Sequence, residues 1–258
     1  MTKDDKRYSL EGKVALVTGG GTGIGKAAAL AFAAAGAKVV IASRGQGPGE
    51  EVVRLIRETD GEAAWVQTDV SVAAQVEALV AAALEKFGRL DYAFNNAGSG
   101  GRGGWTHEIA EEDWDKTIDG FLKSVWLCMK FEIAAMLKAG GGAIVNNSSV
   151  DGQRAFPWDP VYSAAKHGVL GLTKSAAMQY ARQGVRINAV CPGWILTPPT
   201  EEAMQHNPGV EKEWLTHVPI GRLGEAGEVA EAVVWLCSDK ASLVTGTALA
   251  VDGGYLTV

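Results

Sequence analysis

Seven short apolar runs punctuate the chain, separated by longer stretches in which apolar positions recur every three or four residues. The runs KVALVT (13–18), KVVIAS (38–43), AAWVQT (63–68), LDYAFNNAG (90–98), GAIVNNSS (142–149), VRINAVC (185–191) and TALAVDG (247–253) predict strands. Most are continuously apolar rather than alternating, the pattern of strands covered on both faces. The intervening periodicity predicts helices over 23–36, 49–61, 72–88, 111–140, 160–183 and 226–239, the first stopped by Gly36. Strict strand–helix alternation implies right-handed crossovers and a parallel sheet of about seven strands with helices on both faces. The fold class is therefore α/β, doubly wound. No linker, repeat or low-complexity segment interrupts the alternation. Residues 1–258 are expected to form one domain, with a polar tail at 1–10 and a long loop at 194–219.

Composition narrows the function. The chain has 258 residues and is 47% hydrophobic, enough for one sizeable core. Its formal net charge of −6, with scattered basic residues, argues against a nucleic-acid partner or an anionic membrane surface. The opening MTKDDKRYSLEGK lacks the apolar stretch of a signal peptide, and no run reaches membrane-spanning length, so a cytoplasmic location is expected. Cys128, Cys191 and Cys237 lie far apart in apolar contexts, which predicts reduced core thiols. His107, His167, His206 and His217 lack metal-ligand spacing, and no metal site is expected.

The first strand runs into TGGGTGIG, with Thr18 and Gly19 followed by Gly21, Thr22, Gly23, Ile24 and Gly25. Glycine permits positive φ and lets backbone approach a ligand closely. A helix that starts here points free N–H groups and its positive dipole end at that ligand. A glycine-rich turn between the first strand and the first helix is where a dinucleotide pyrophosphate binds.

The spacing Gly-x-x-x-Gly-x-Gly resembles that of the short-chain dehydrogenase/reductase family. NNAG (95–98), NNSS followed by YSAAK, CPGWILT (191–197) and VDGG (251–254) resemble further motifs of that family, in the same order and over nearly the whole chain. The resemblance implies a Rossmann-type domain and an enzyme that transfers hydride between a nicotinamide cofactor and a carbonyl or alcohol.

Tyr162 and Lys166 are four residues apart on a predicted helix and share a face. A free phenol has a pKa of about 10. A lysine ammonium one turn away, together with an oxidised nicotinamide, favours the phenolate and makes the pair a proton donor and acceptor. Ser149, thirteen residues before Tyr162, has the family's spacing for the residue that hydrogen-bonds the substrate oxygen; Ser148 is its rival. The resemblance also has Lys166 hold the nicotinamide ribose. The family's proton relay uses an asparagine on the long helix after NNAG, and that position here is Phe121. One reading is a crippled or repurposed site, which leaves imine reduction or cofactor binding without turnover as alternatives. The other is that the relay uses the backbone carbonyl and that Gly120 permits the helix distortion the side chain would otherwise support.

The second strand ends ASRG, with Ser43 and Arg44 and no acid at 42–45. A carboxylate there would accept from the ribose hydroxyls of NAD, whereas an arginine fork pairs with the 2′-phosphate of NADP. NADP is therefore expected over NAD, with the Ser43 hydroxyl adding a hydrogen bond. By resemblance, Asp69 and Val70 meet the adenine. Asn95, with Ala97 and Gly98, lies against the cofactor and steadies the sheet. Pro192, Gly193, Ile195 and Thr197 approach the nicotinamide. Asp69 as a helix cap and Thr197 as a turn residue are the plainer readings.

The segments 150–159 and 194–219 are expected to form the substrate wall and a lid. With Trp105 and Phe121 they offer Asp151, Phe156, Trp158, Trp194, Met204 and Trp214 for an aromatic pocket that takes a bulky apolar ketone or aldehyde. Packing or subunit contact is the alternative use of these aromatics. Trp65, Trp126 and Trp235 are expected in the core. By resemblance, helices 111–140 and 160–183 pair between subunits of a homotetramer or, failing that, a dimer.

Overall fold

The apolar runs become the buried strands of one sheet in a computed structural model that describes residues 9–258. Nearly all of the predicted polar tail, 1–10, falls outside those residues. The strands are β1 (Val14–Thr18), β2 (Lys38–Ser43), β3 (Ala63–Gln67), β4 (Tyr92–Asn95), β5 (Gly142–Asn147) and β6 (Val185–Pro192). After them come the two-residue pieces β7 (Ile195–Leu196) and β8 (Gly224–Glu225), then β9 (Ala248–Val251). Seven strands pair in the order β3-β2-β1-β4-β5-β6-β9, each pair parallel; β7 and β8 pair with each other. The seven-stranded parallel sheet matches the expectation, and all five residues of β1 are buried.

Nine α-helices connect the strands among the described residues. On one face α1 (Gly23–Ala34), α2 (Gln46–Arg57) and α9 (Ala226–Cys237) enclose a core around Phe32, which is fully buried and stacks on Tyr92 at 6.2 Å. On the other face α3 (Ala73–Phe87), α5 (Ser124–Ala139) and α6 (Pro160–Tyr180) pack around Leu16, Leu90, Met136 and Ile144. The three cysteines are buried and unpaired. Among the described residues no helix is long and apolar enough to cross a membrane.

The long helix expected at 111–140 is broken. It begins as α4 (Glu111–Ile118), widens into a π-helical turn over Asp119–Lys123, and resumes as α5. In that turn the Ser124 N–H donates to the carbonyl of Asp119, five residues back. The reason lies in a neighbouring loop. A Cβ on Gly120 would stand 1.8 Å from the Ser99 carbonyl oxygen, so the turn docks flush on the segment after β4. Ser124 Oγ donates to the Gly120 carbonyl at 2.7 Å and holds the widened turn. Single π-turns of this kind occur mostly at functional sites.

The segment 194–219 is not a plain loop. It carries α7 (Pro198–His206) and α8 (Val210–Leu215). Pro198 and Pro199 open α7, and the Thr197 N–H donates to Thr200 Oγ1 at 2.7 Å in a reciprocal cap. Proline at the first helical position and a hydroxyl cap start helices as readily as they mark turns. Trp126 departs from its expected core position and is 45% exposed. It lines an open apolar groove between α5 and α6 with Met129, Ile133 and Tyr180.

One polar cluster lies deep between sheet and helices. Asn95 Nδ2 donates to Glu132 Oε2 at 2.9 Å and to Asn146 Oδ1 at 3.0 Å, and Asn146 Nδ2 donates to Thr173 Oγ1 at 2.9 Å. The bonds tie β4, β5, α5 and α6 together. Burial pushes the Glu132 carboxyl up to about 7. The folded chain thus keeps a proton that the unfolded chain releases from the ordinary carboxylate range upward. Stability from this group falls as pH rises from about 4.5 to about 7. Glu132→Gln is expected to flatten that slope and to raise Tm above wild type at pH 8. Thermal melts at pH 5 and pH 8 check it, and an unchanged slope would rule out Glu132 as its source.

Candidate active site

The strand order reverses between β1 and β4, and a groove opens at the carboxyl ends of these strands. Open α/β sheets bind ligands at such switch points. Gly19, Gly21 and Thr22 line the groove on one side, and Ala97, Gly98 and Ser99 on the other. Gly19 and Gly23 have φ of 63° and 50°, in the left-handed region that favours glycine. A Cβ on Gly25 would stand 2.2 Å from the Gly19 carbonyl oxygen, so only glycine lets α1 start this close to β1. Thr22, at the N-cap of α1, makes no side-chain cap bond, which leaves the first N–H groups of the helix free for an anion.

Ser43, Arg44, Asp69 and Val70 line the outer part of the same groove. The Ser43 hydroxyl is not free to bind a phosphate as expected. It donates to the Gly45 carbonyl at 2.9 Å and accepts from Trp65 Nε1 at 2.9 Å. Asp69 is an Asx-turn residue rather than a helix cap. Its Oδ1 accepts from the Ser71 N–H and hydroxyl, which hold the carboxyl below its usual range, and the N-cap of α3 is Val72. These residues fit a dinucleotide: a glycine cradle with unpaired N–H donors for the pyrophosphate and an arginine at the end of β2.

A second compartment opens at the carboxyl ends of β5 and β6. Ser149, Tyr162, Pro192, Gly193, Ile195 and Thr197 line it together with Ile24. Thr197 also packs on the glycine turn, 3.3 Å from where a Cβ on Gly23 would sit. Lys166 is 5% exposed and donates from Nζ to the Asn147 carbonyl at 2.7 Å. The two serines separate cleanly. Ser148 Oγ donates to the Lys166 carbonyl at 3.0 Å and is used up within the chain. Ser149 Oγ accepts the Asp151 N–H at 3.1 Å, which orients the hydroxyl and leaves its proton to donate. Burial pushes the Tyr162 phenol well above its ordinary value, against the nearby Ser149 hydroxyl, which acts the other way. Burial lowers Lys166 to about 8. Asp151 and Asp159 act in the same direction as burial, so the chain's own groups favour the protonated phenol.

Phe121 stands directly on this pair. Its ring centroid is 4.9 Å from that of Tyr162 at 86°, an edge contact. Lys166 Nζ lies 4.9 Å from the Phe121 centroid and 5.4 Å from that of Tyr162. Such cation–π contacts hold an ammonium in place. The far side of the ring rests on backbone. A Cβ on Gly98 would stand 2.4 Å from it, and one on Gly100 2.9 Å. Phe121, expected in the substrate wall, lines neither compartment and instead packs behind the Tyr162–Lys166 pair.

The expected substrate wall is only partly assembled. Asp151 and Trp194 line the compartment. Trp214 stacks on Trp194 at 4.3 Å and Phe156 meets it edge-on at 6.2 Å, so both back the wall without forming its lining. Trp105 and Trp158 pack against each other, 58% and 60% exposed, away from the lining, and Met204 does not join it. Asn95 is also displaced from its expected place. It is 2% exposed and belongs to the Glu132 cluster, because the first asparagine of NNAG still lies inside the sheet. Sequence patterns do not single out Val150, Thr200 and Tyr255, all in the lining. Nor do they give Asn96 and Asn147 a role. Thr18 Oγ1 accepts the N–H groups of Asn96 and Ala97 at 3.0 and 3.1 Å, and Asn96 Nδ2 returns a bond to the Thr18 carbonyl at 3.1 Å. Asn147 Nδ2 then donates to Asn96 Oδ1 at 2.9 Å. Asn147 Oδ1 is buried without a protein donor, an acceptor suited to a sugar hydroxyl.

Comparisons with known proteins agree with this geometry. The short-chain family model described as enoyl-(acyl carrier protein) reductase matches residues 19–256. A 2,5-dichloro-2,5-cyclohexadiene-1,4-diol dehydrogenase of Sphingobium indicum is 42% identical over 96% of this chain and 99% of its own. A cyclohexanol dehydrogenase of Acinetobacter sp. is 44% identical over 94% of each chain. The crystal structure of a variant actinorhodin polyketide ketoreductase with NADPH superposes with a TM-score of 0.90 at 38% identity, over 94% of this chain and 97% of that one. The chain belongs to the short-chain dehydrogenase/reductase family and is an NAD(P)-dependent oxidoreductase.

The docking of the π-turn gives a direct test. Gly120→Ala forces a Cβ onto the Ser99 carbonyl, an overpacking that costs about 1–3 kcal/mol. A lower Tm and weaker binding of the nicotinamide dinucleotide are expected together, because Ser99 and Gly120 both line the groove at the switch point. Wild-type values of both would show that the loop yields freely.

Proposed function

We propose that the protein is an NADP-dependent oxidoreductase of alicyclic alcohols and ketones. The observation that carries the reading is a compartment lined by Ser149, Tyr162 and Trp194 and bordered by the glycine turn, with the Lys166 ammonium behind it, 5.4 Å from the Tyr162 ring. A bound nicotinamide dinucleotide supplies the hydride chemistry. Gly19, Thr22 and the N-terminus of α1 hold its pyrophosphate, and Asp69 and Val70 bound the adenine end. Arg44 pairs with the 2′-phosphate, without help from the engaged Ser43 hydroxyl. The named relatives that act on ring alcohols, and the NADPH-bound neighbour, support this choice of substrate class and cofactor.

In the reducing direction Tyr162 donates its proton to the carbonyl oxygen, and its protonated state suits that role. Ser149 donates a hydrogen bond to the same oxygen and steadies its growing charge. Lys166, fixed by the Asn147 carbonyl and the Phe121 ring, keeps its ammonium beside the phenol and steadies the phenolate until solvent returns the proton. Trp194 packs against the ring of the substrate.

Tyr162→Phe is expected to lower turnover of NADPH with cyclohexanone or cyclohexane-1,4-dione by about a hundredfold or more while leaving NADPH affinity near wild type. Unchanged turnover would sink the mechanism. Arg44→Asp should move the NADPH/NADH ratio of kcat/KM toward NADH, because a carboxylate repels the 2′-phosphate and accepts from ribose hydroxyls. An unmoved ratio would mean that Arg44 does not read the phosphate.

A further inference from the structure

The substrate compartment contains one carboxylate. Its lining is otherwise apolar, aromatic, hydroxyl-bearing or amide, apart from Asp151. This residue follows Ser149 by two positions in the short turn Val150–Gly152, where its N–H is spent on Ser149 Oγ. Its backbone is thereby fixed beside the Ser149 hydroxyl. Its carboxylate is left unengaged: among the described residues no side chain or backbone N–H donates to it, and no cation pairs with it. Lys166, His167 and Arg154 act on it only through space, and Asp159 opposes them. Burial with Asp159 raises its value to about 6, so it is ionised at neutral pH.

An unpaired carboxylate in a partly desolvated pocket is costly unless the ligand completes it. When ionised it only accepts, so the completing group must be a donor. A simple cyclohexanol or cyclohexanone offers no second donor once its own oxygen is held by Ser149 and Tyr162. A ring that carries a further hydroxyl does.

We propose that Asp151 is a specificity-determining residue that accepts a hydrogen bond from a second hydroxyl of the substrate. The preferred substrates are then cyclic diols or hydroxyketones, and ring alcohols that carry a carboxylate are excluded by charge. This deepens the reading above and rests on it. Asp151 takes no proton and forms no bond in the reaction; it selects which ring is held with its reacting carbon facing Tyr162.

The test compares kcat/KM for cyclohexanol, for cyclohexane-1,2-, 1,3- and 1,4-diol, and for 4-hydroxycyclohexanecarboxylate, in wild type, Asp151→Ala and Asp151→Asn. The wild type is expected to prefer at least one diol over cyclohexanol by about tenfold to a hundredfold, the range of one hydrogen bond to a charged group. In Asp151→Ala the diol/cyclohexanol ratio should collapse toward one. Asp151→Asn, which keeps an acceptor of the same shape and loses the charge, should retain part of that ratio and admit the carboxylate. Reading ratios removes any general loss from a disturbed Ser149. If Asp151→Ala is inactive toward every substrate, the diol ratio and carboxylate turnover of Asp151→Asn decide instead. A wild type without diol preference, or an alanine variant that keeps it, would overturn the role of Asp151 and leave the oxidoreductase reading standing. A wild type that oxidises none of these alcohols with either cofactor would overturn that reading, and this inference with it.

Discussion

A thread of hydrogen bonds across the strand-order reversal holds the two halves of the site in register. It runs from Thr18 at the end of β1 to Asn96 after β4, on to Asn147 at the end of β5, and to Lys166 on α6. At a switch point the connections leave two paired strands in opposite directions, and a crevice opens beyond the last rung of the β1–β4 ladder. Side-chain amides bridge it here, because each has both donors and acceptors and can pass a bond onward. The consequence is mechanical. The glycine cradle and the lysine lie 148 residues apart in sequence between Thr18 and Lys166, yet their relative position is set by three side chains.

The π-turn and Phe121 form a second constraint that leans on the first. Gly120 lets the widened turn sit on the Ser99 carbonyl, and Gly98 and Gly100 make room for the Phe121 ring. The ring then closes over Lys166 and Tyr162. Where the family resemblance implies an amide, this chain has a quadrupole, and ring faces add to the Asn147 hydrogen bond in confining the ammonium. The distorted helix is present with Phe121 in place, and the ring changes what packs on the Tyr162–Lys166 pair. Three small residues around one large one are what make it fit, since interiors tolerate little void or overlap.

Much of this is legible in the residue pattern. Continuous apolar runs mark the buried strands, and their alternation with 3.6-residue periodicity sets the parallel sheet. The glycine turn, Ser149, Tyr162 and Lys166 stand at motif spacings. What misleads is local chemistry with two uses. The prolines and threonines at 197–200 suggest a loop but start α7. Ser43 suggests a free hydroxyl but is held by Trp65, a partner on the adjacent strand. The aromatics at 105, 156, 158 and 214 suggest one pocket. Instead they form an exposed pair and a backing layer behind Trp194. Aromatic content is visible in a sequence, but which face of a ring meets a cavity is not.

The sequence by itself determined the class of fold, the alternation of its seven main strands with helices, and the candidate site residues Ser149 and Tyr162, which the fold brings into one compartment. These follow from periodicity and from short spacings, which act within a few turns of chain. Only the tertiary structure decided that Asn95 faces the core while Asn96 bridges the crevice, and that the long helix widens at Phe121. It alone decided that the carboxylate of Asp151, already a pocket candidate in the sequence, has no partner there. Each of those outcomes depends on a group remote in the chain, such as Glu132 for Asn95 or the Ser99 carbonyl for Gly120, and contacts between distant segments exist only once the sheet has assembled.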